Sequence, residues 1–113
     1  MSPFQEKLVK NGYCDERGAA FCAKATKLPR GEYGIVALCV KGDQLYIFDV
    51  DMKSNIKEFL YQVPLKQIED LKIKTFILNP LLRFSYENNI YSFTNFAKVK
   101  PALEVIREES SKK

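Results

Sequence analysis

The chain contains no histidine. That removes the side chain used most often as a general base or a metal ligand near neutral pH. Its three cysteines, Cys14, Cys22 and Cys39, include no Cys-x-x-Cys pair, so the spacing offers neither a structural zinc site nor a thioredoxin-like centre. An odd count without a paired pattern fits a reduced, cytoplasmic setting. Cys22 and Cys39 read as small core hydrophobes. Cys14, beside Asp15 and Glu16, reads as a candidate exposed thiol whose neighbouring carboxylates disfavour a thiolate. The five glycines fall into neither a phosphate-loop nor a dinucleotide fingerprint. Apolar runs are short: the longest, Ile35–Val40, has six residues, far below a membrane span. Glu6, Lys7 and Lys10 interrupt any signal-peptide core at the N-terminus. Asp49–Asn55 superficially suggests a calcium loop. Lys53 stands at its fifth position, Ser54 replaces the turn glycine and Leu60 stands where a bidentate Glu is needed. It therefore reads as a solvated loop. No catalytic constellation, cofactor site or metal site emerges, so an enzyme is the least expected class.

What the chain does contain is enough apolar material for one core. At 113 residues with a net charge of +4 it is expected to be a single domain, mildly basic but not basic enough to imply nucleic acid. Ser2-Pro3-Phe4-Gln5 combines a Ser cap, Pro at the first helical position and Gln at the reciprocal capping position. With Asn11-Gly12 as the stop, the spacing predicts a helix over Pro3–Lys10, too short to stand alone and due to dock at the open end or side of a sheet.

Strands follow. Ala19–Thr26 is ambiguous, because its alanines favour a helix while Gly18 and Leu28-Pro29-Arg30-Gly31 bound it like a strand. A strand is preferred because the next hairpin needs a neighbour. That hairpin is Gly34–Val40 and Leu45–Val50 around the turn Lys41–Gln44. Lys57–Val63 alternates Phe59, Tyr61 and Val63 against Glu58, Leu60 and Gln62. Pro64–Ile68 is a kinked passage into a strand at Leu71–Phe76, whose Lys72 and Lys74 form a wet face. Ile77–Pro80 turns the chain into a closing hairpin, Leu81–Thr94. With Asn88-Asn89 as its two-residue turn, Phe84 faces Phe93 and Tyr86 faces Tyr91. Leu82, Phe84, Tyr86, Tyr91 and Phe93 then share an apolar face, and a one-residue slip would turn them outward. After an entry turn at Phe96–Val99, Lys100–Glu109 is predicted to be a helix with Pro101 near its start. Ala102, Leu103, Val105 and Ile106 form its buried stripe. Ser110–Lys113 reads as a frayed tail.

The order of a β-meander, PLKQIEDLKI, a strand, LRFSYENNIYSFTNF and a terminal helix resembles the pleckstrin-homology (PH) superfold. The likeness is greatest to its GRAM-like and bacterial branches. Pro64, Leu65, Ile68, Leu71, Tyr91, Phe93 and Phe96 carry it, over about residues 19–109. It implies an α+β, mainly β fold: a bent seven-stranded antiparallel barrel plugged by the C-terminal helix, with the N-terminal helix as an extra. A five-stranded Sm-like barrel is the rival. Three function classes follow. The first is a non-catalytic module binding a protein partner or a second copy of itself, through an edge in a gap between the first and last strands. The second is peripheral binding to an anionic membrane or phosphorylated ligand. Lys24, Lys27 and Arg30 are its candidate ligand-binding residues, because the resemblance implies inositol-phosphate contacts in this region. The third is RNA binding on Tyr46, Tyr61 and Tyr91 as exposed aromatics.

Overall fold

A computed structural model describes residues 2–75, 80–96 and 99–112. Helix α1, Pro3–Lys10, starts as its sequence dictates: the Ser2 hydroxyl accepts from the Gln5 amide at 3.2 Å, and the Gln5 side chain accepts from the Ser2 amide at 2.9 Å. Seven antiparallel strands follow: β1 Ala20–Lys27, β2 Gly34–Lys41, β3 Gln44–Val50, β4 Ile56–Pro64, β5 Glu69–Lys74, β6 Leu81–Tyr86 and β7 Asn89–Thr94. Helix α2, Lys100–Ser110, closes the chain. Phe76 of the expected fifth strand, residues 77–79 of the turn after it, and residues 97–98 of the expected entry to α2 lie outside the described residues.

The alanine-rich segment is a strand because of its position. β1 sits in the middle of the sheet, between β2 and β7, and Ala20, Ala23 and Ala25 are at most 1% exposed. Small side chains fit a central strand whose first residues are covered on both faces, and that packing overrides a helical preference.

The strand order is β4-β3-β2-β1-β7-β6-β5, so the seven expected strands form one antiparallel sheet that pairing of its outer strands does not close. The first and last strands are paired, Lys24 opposite Thr94 and Ala25 opposite Phe93. The expected gap between them does not exist; the unpaired edges are β4 and β5. The sheet nevertheless folds over on itself. Tyr61 on β4 and Tyr91 on β7 lie four strands apart in the order, roughly 19 Å in a flat sheet, yet their rings are 5.5 Å apart. Between the two halves lies the main core, including Leu38, Ile47, Leu82, Phe84, Phe93 and Ile106. A turn of 3-10 helix, Leu65–Gln67, carries the chain from β4 to β5 and packs against α2.

The other face of β1, β2 and β3 is covered by α1. Leu8 joins Cys14, Ala20, Ala37, Cys39, Phe48 and Val50 in a second apolar cluster. Cys14 is thus buried, at 2% exposure, and not the exposed thiol expected, because the backbone after α1 folds back and its amide reaches the Leu8 carbonyl.

Three local expectations are corrected. The closing hairpin turns at Glu87-Asn88, both with positive φ, which matches the primed turn that suits strand twist. Phe84 therefore faces Tyr91, Leu82 faces Phe93 and Tyr86 faces Asn89. Each partner moves by two residues, so the aromatics keep their face. On β4 the expected alternation fails. Tyr61 pairs with Ile47 but Phe59 pairs with Phe48, so a bulge at Leu60 sends Phe59 to the outer face, 54% exposed. Finally, α2 continues through Ser110, which is buried with Glu109, where a frayed tail was expected. Glu109 is held there by Arg17 at 2.8 Å.

A basic sheet face as candidate functional site

Strand pairing turns dispersed lysines into rows. On β1, β7, β6 and β5, Lys27 stands opposite Ser92, Ser92 opposite Arg83, and Arg83 opposite Lys72. Two residues along β5, β6 and β7, and three along β1 because of a bulge between Ala25 and Lys27, Lys24 stands opposite Thr94 and Lys74 opposite Leu81. Paired residues present Cβ atoms roughly 4.5–5.5 Å apart on the same face. The face turned away from the core thus carries Lys24, Lys27, Lys72, Lys74 and Arg83, interspersed with the hydroxyls of Ser92 and Thr94. The ion pairs formed among the described residues involve none of the five cations. On the same strand as Lys72 and Lys74, Glu69 stands opposite Ser85, and Asp70 falls in the register shift beside it.

One end of this face is also apolar. Ile35 is the β2 partner of Lys24, and the Lys24 ammonium lies over the Tyr33 ring at 4.9 Å. Tyr33 is 68% exposed and Ile35 49%. Met52, on the β3–β4 loop at the same end of the sheet, is fully exposed. Asp51 shapes that loop by accepting from the Lys53 and Asn55 amides at 2.8 and 2.9 Å. Those same bonds hold its carboxyl below the ordinary range, the Asn55 amide contributing most.

Of the three residues singled out in the sequence, Lys24 and Lys27 belong to this face and Arg30 does not. Arg30 is occupied in pinning the β1–β2 loop to β4. Its backbone amide and Nε both donate to the Tyr61 hydroxyl, at 3.0 and 3.1 Å, and Nη2 donates to the Leu60 carbonyl at 2.9 Å. Nη2 also lies 3.2 Å from Glu32, to which Tyr61 donates at 2.6 Å. Partial burial opposes ionisation of Glu32, but the Tyr61 hydroxyl and Arg30 outweigh it and hold its carboxyl below the ordinary range.

Lys72 and Lys74 were expected only as a wet face, and Arg83 joins them here as the β6 partner of Lys72. Their alternation was visible; that β5 and β6 continue the sheet beyond β7 and β1 was not. Of the three tyrosines expected to be exposed, Tyr91 is buried and Tyr46 and Tyr61 are half-buried. Tyr91 is 4% exposed, stacked on Phe84 at 4.9 Å, and burial raises its hydroxyl to a pKa of about 12. Tyr46 packs beside Phe48 and Phe59, and Tyr61 lies beneath the Arg30 guanidinium.

The thiols are placed as packing groups. Burial raises the Cys39 and Cys22 pKa values, and burial together with Asp15 raises that of Cys14. Among the described residues there is no cluster of His, Cys, Asp or Glu able to hold a metal ion, and no helix is long and apolar enough to cross a membrane. No known family model matches this chain, and no curated protein is significantly similar to it.

Proposed function

We propose that this chain is a non-catalytic binding module of PH-like architecture that docks on an anionic membrane surface by one end of its sheet. The PH-like reading is supported by the strand order, with β1 joining the two halves and a C-terminal helix packed against the core and the turn Leu65–Gln67. The membrane reading is carried by one observation: Lys24 stands beside exposed Tyr33 and Ile35, with Lys27 further along β1 and exposed Met52 on the β3–β4 loop at that end of the sheet. Cations near an anionic leaflet contribute about 1 kcal/mol each, and aliphatic side chains gain by entering the acyl boundary. Tyr33 would suit a base or a membrane interface alike, but Ile35 and Met52 favour an acyl boundary over a stacked base.

Co-sedimentation with phosphatidylcholine vesicles, with and without phosphatidylserine, tests this. Binding should require phosphatidylserine, weaken with salt and fall when Lys24 and Lys27 are changed to Glu. Equal binding to neutral and anionic vesicles, or none to either, refutes it.

A second reading has one observation in its favour. Phe59 is an exposed aromatic on edge strand β4, as a contact with a protein partner or a second copy would need. Backbone addition to the edges themselves is disfavoured, because Arg30 occupies the Leu60 carbonyl and β5 carries a bulge and two lysines. Light scattering at high concentration separates self-association from a monomer.

A further inference from the structure

Lys72 and Arg83 face each other directly across β5 and β6. Both are exposed, and neither has an ion-pair partner among the described residues. Like charges in register on adjacent strands destabilise the sheet, so in the empty protein this pair works against the fold. A dianion placed between them would reverse that sign.

Room for one exists at the same place. Between Glu69 and Lys72 the β5 register shifts, and Asp70 adopts φ 55°. The bulge leaves an open depression of about 460 Å³ beside the two cations. Ser85 supplies a hydroxyl to its lining and its β7 partner Ile90 supplies apolar surface, while Leu71 and Phe84 back the depression from the core side; Asp70 is the one acid among the lining residues. Two cations and a hydroxyl next to apolar wall form a chemically mixed site. Arg offers a planar fork and Lys a point charge, a pairing that suits phosphate oxygens.

We infer that the β5–β6 depression binds a phosphomonoester carrying an apolar group, with Lys72 and Arg83 on the phosphate and Ile90 against the apolar part. This site lies two strands away from Lys24 and Lys27 and stands whether or not the chain docks on membranes. The phosphomonoester could belong to a small molecule or to a lipid headgroup, and the two sources are separable.

The test is titration of the full chain with inorganic phosphate and with phenyl phosphate, followed by amide NMR. Shifts should concentrate at Lys72, Arg83 and Ser85. Phenyl phosphate should bind about fivefold or more tightly than inorganic phosphate, through the added apolar burial. Arg83→Ser should weaken phenyl phosphate at least about tenfold. Relieving the repulsion should leave the Tm of the unliganded variant equal or higher, so its loss of binding cannot be misfolding. No saturable shift at about 20 mM ligand, shifts centred instead on Lys24 and Lys27, or undiminished binding by Arg83→Ser would each overturn the inference. Vesicles with and without phosphatidic acid then identify the source. If Arg83→Ser loses phenyl phosphate but keeps vesicle binding, the ligand is a free ester; if it loses both, the ligand is a headgroup. Failure of the membrane reading shows separately, as vesicle binding indifferent to Lys24→Glu and Lys27→Glu.

Discussion

Arg17 holds Glu109 at 2.8 Å, and the same guanidinium holds Asp15 at 2.7 Å and donates to the Gly42 carbonyl at 2.7 Å. One side chain thus ties the segment before β1, the β2–β3 turn and the last turn of α2, three places far apart in sequence. The arrangement matters because α2 closes the core with Leu103 and Ile106, and Glu109 is buried at its end. Arg17→Ala should loosen the end of α2, seen as faster amide exchange at residues 106–110 and a stability loss of about 1 kcal/mol. Unchanged exchange would show that α2 is held by its apolar stripe alone.

The same network sets an acid limit. The Arg17 hydrogen bond is the main reason the Asp15 carboxyl falls to a pKa of about 2, and it also lowers that of Glu109. A carboxylate with a depressed folded-state pKa contributes stability that is fully present above its unfolded value, near 4. That contribution is lost as the pH falls from about 4 toward 2. Denaturation midpoints at pH 5 and pH 2.5 should therefore differ, and Arg17→Gln should reduce the difference.

At the tip of the closing hairpin, Glu87 sits at φ 50° and Asn88 at φ 64°. Asn and Gly tolerate this region far better than Glu. Glu87→Asn with Asn88→Gly should raise stability by roughly 0.5–1 kcal/mol in urea denaturation. A destabilised double variant would place the turn elsewhere.

Phe59 and Phe93 are both strand phenylalanines, with opposite expected effects. Phe93 is fully buried against Phe84, so Phe93→Ala should cost about 3–5 kcal/mol. Phe59 is outside the main core, and Phe59→Ser should change stability by no more than about 1 kcal/mol. Comparable losses at both positions would contradict the bulge at Leu60.

Thiol labelling should be slow. Cys14 and Cys39 lie beneath α1 and Cys22 is half-buried, all with raised pKa values. An aromatic disulfide reagent at pH 8 should leave Cys14 and Cys39 unmodified in the native protein and modify all three in denaturant.

The features legible before folding were local ones. The capping box of α1, the hairpin at Gly42, the apolar face of Leu82, Phe84, Tyr91 and Phe93, and the stripe on α2 each depend on residues close in the chain or on strict alternation. Parity protected the hairpin face even where its turn lay one residue earlier than expected. Only the tertiary structure decided what depends on neighbours distant in sequence. A central place between β2 and β7 made Ala20–Lys27 a strand, and a bulge with no local signature turned Phe59 outward. Pairing of β1 with β7 brought Lys24 and Lys27 into register with Arg83, Lys72 and Lys74, and it removed the gap expected between those strands. Periodicity states which way a side chain faces; it does not state which strand lies beside it. The arginine nearest the two lysines in the chain was claimed by Tyr61 and Glu32, while the one that joins their face came from more than fifty residues away.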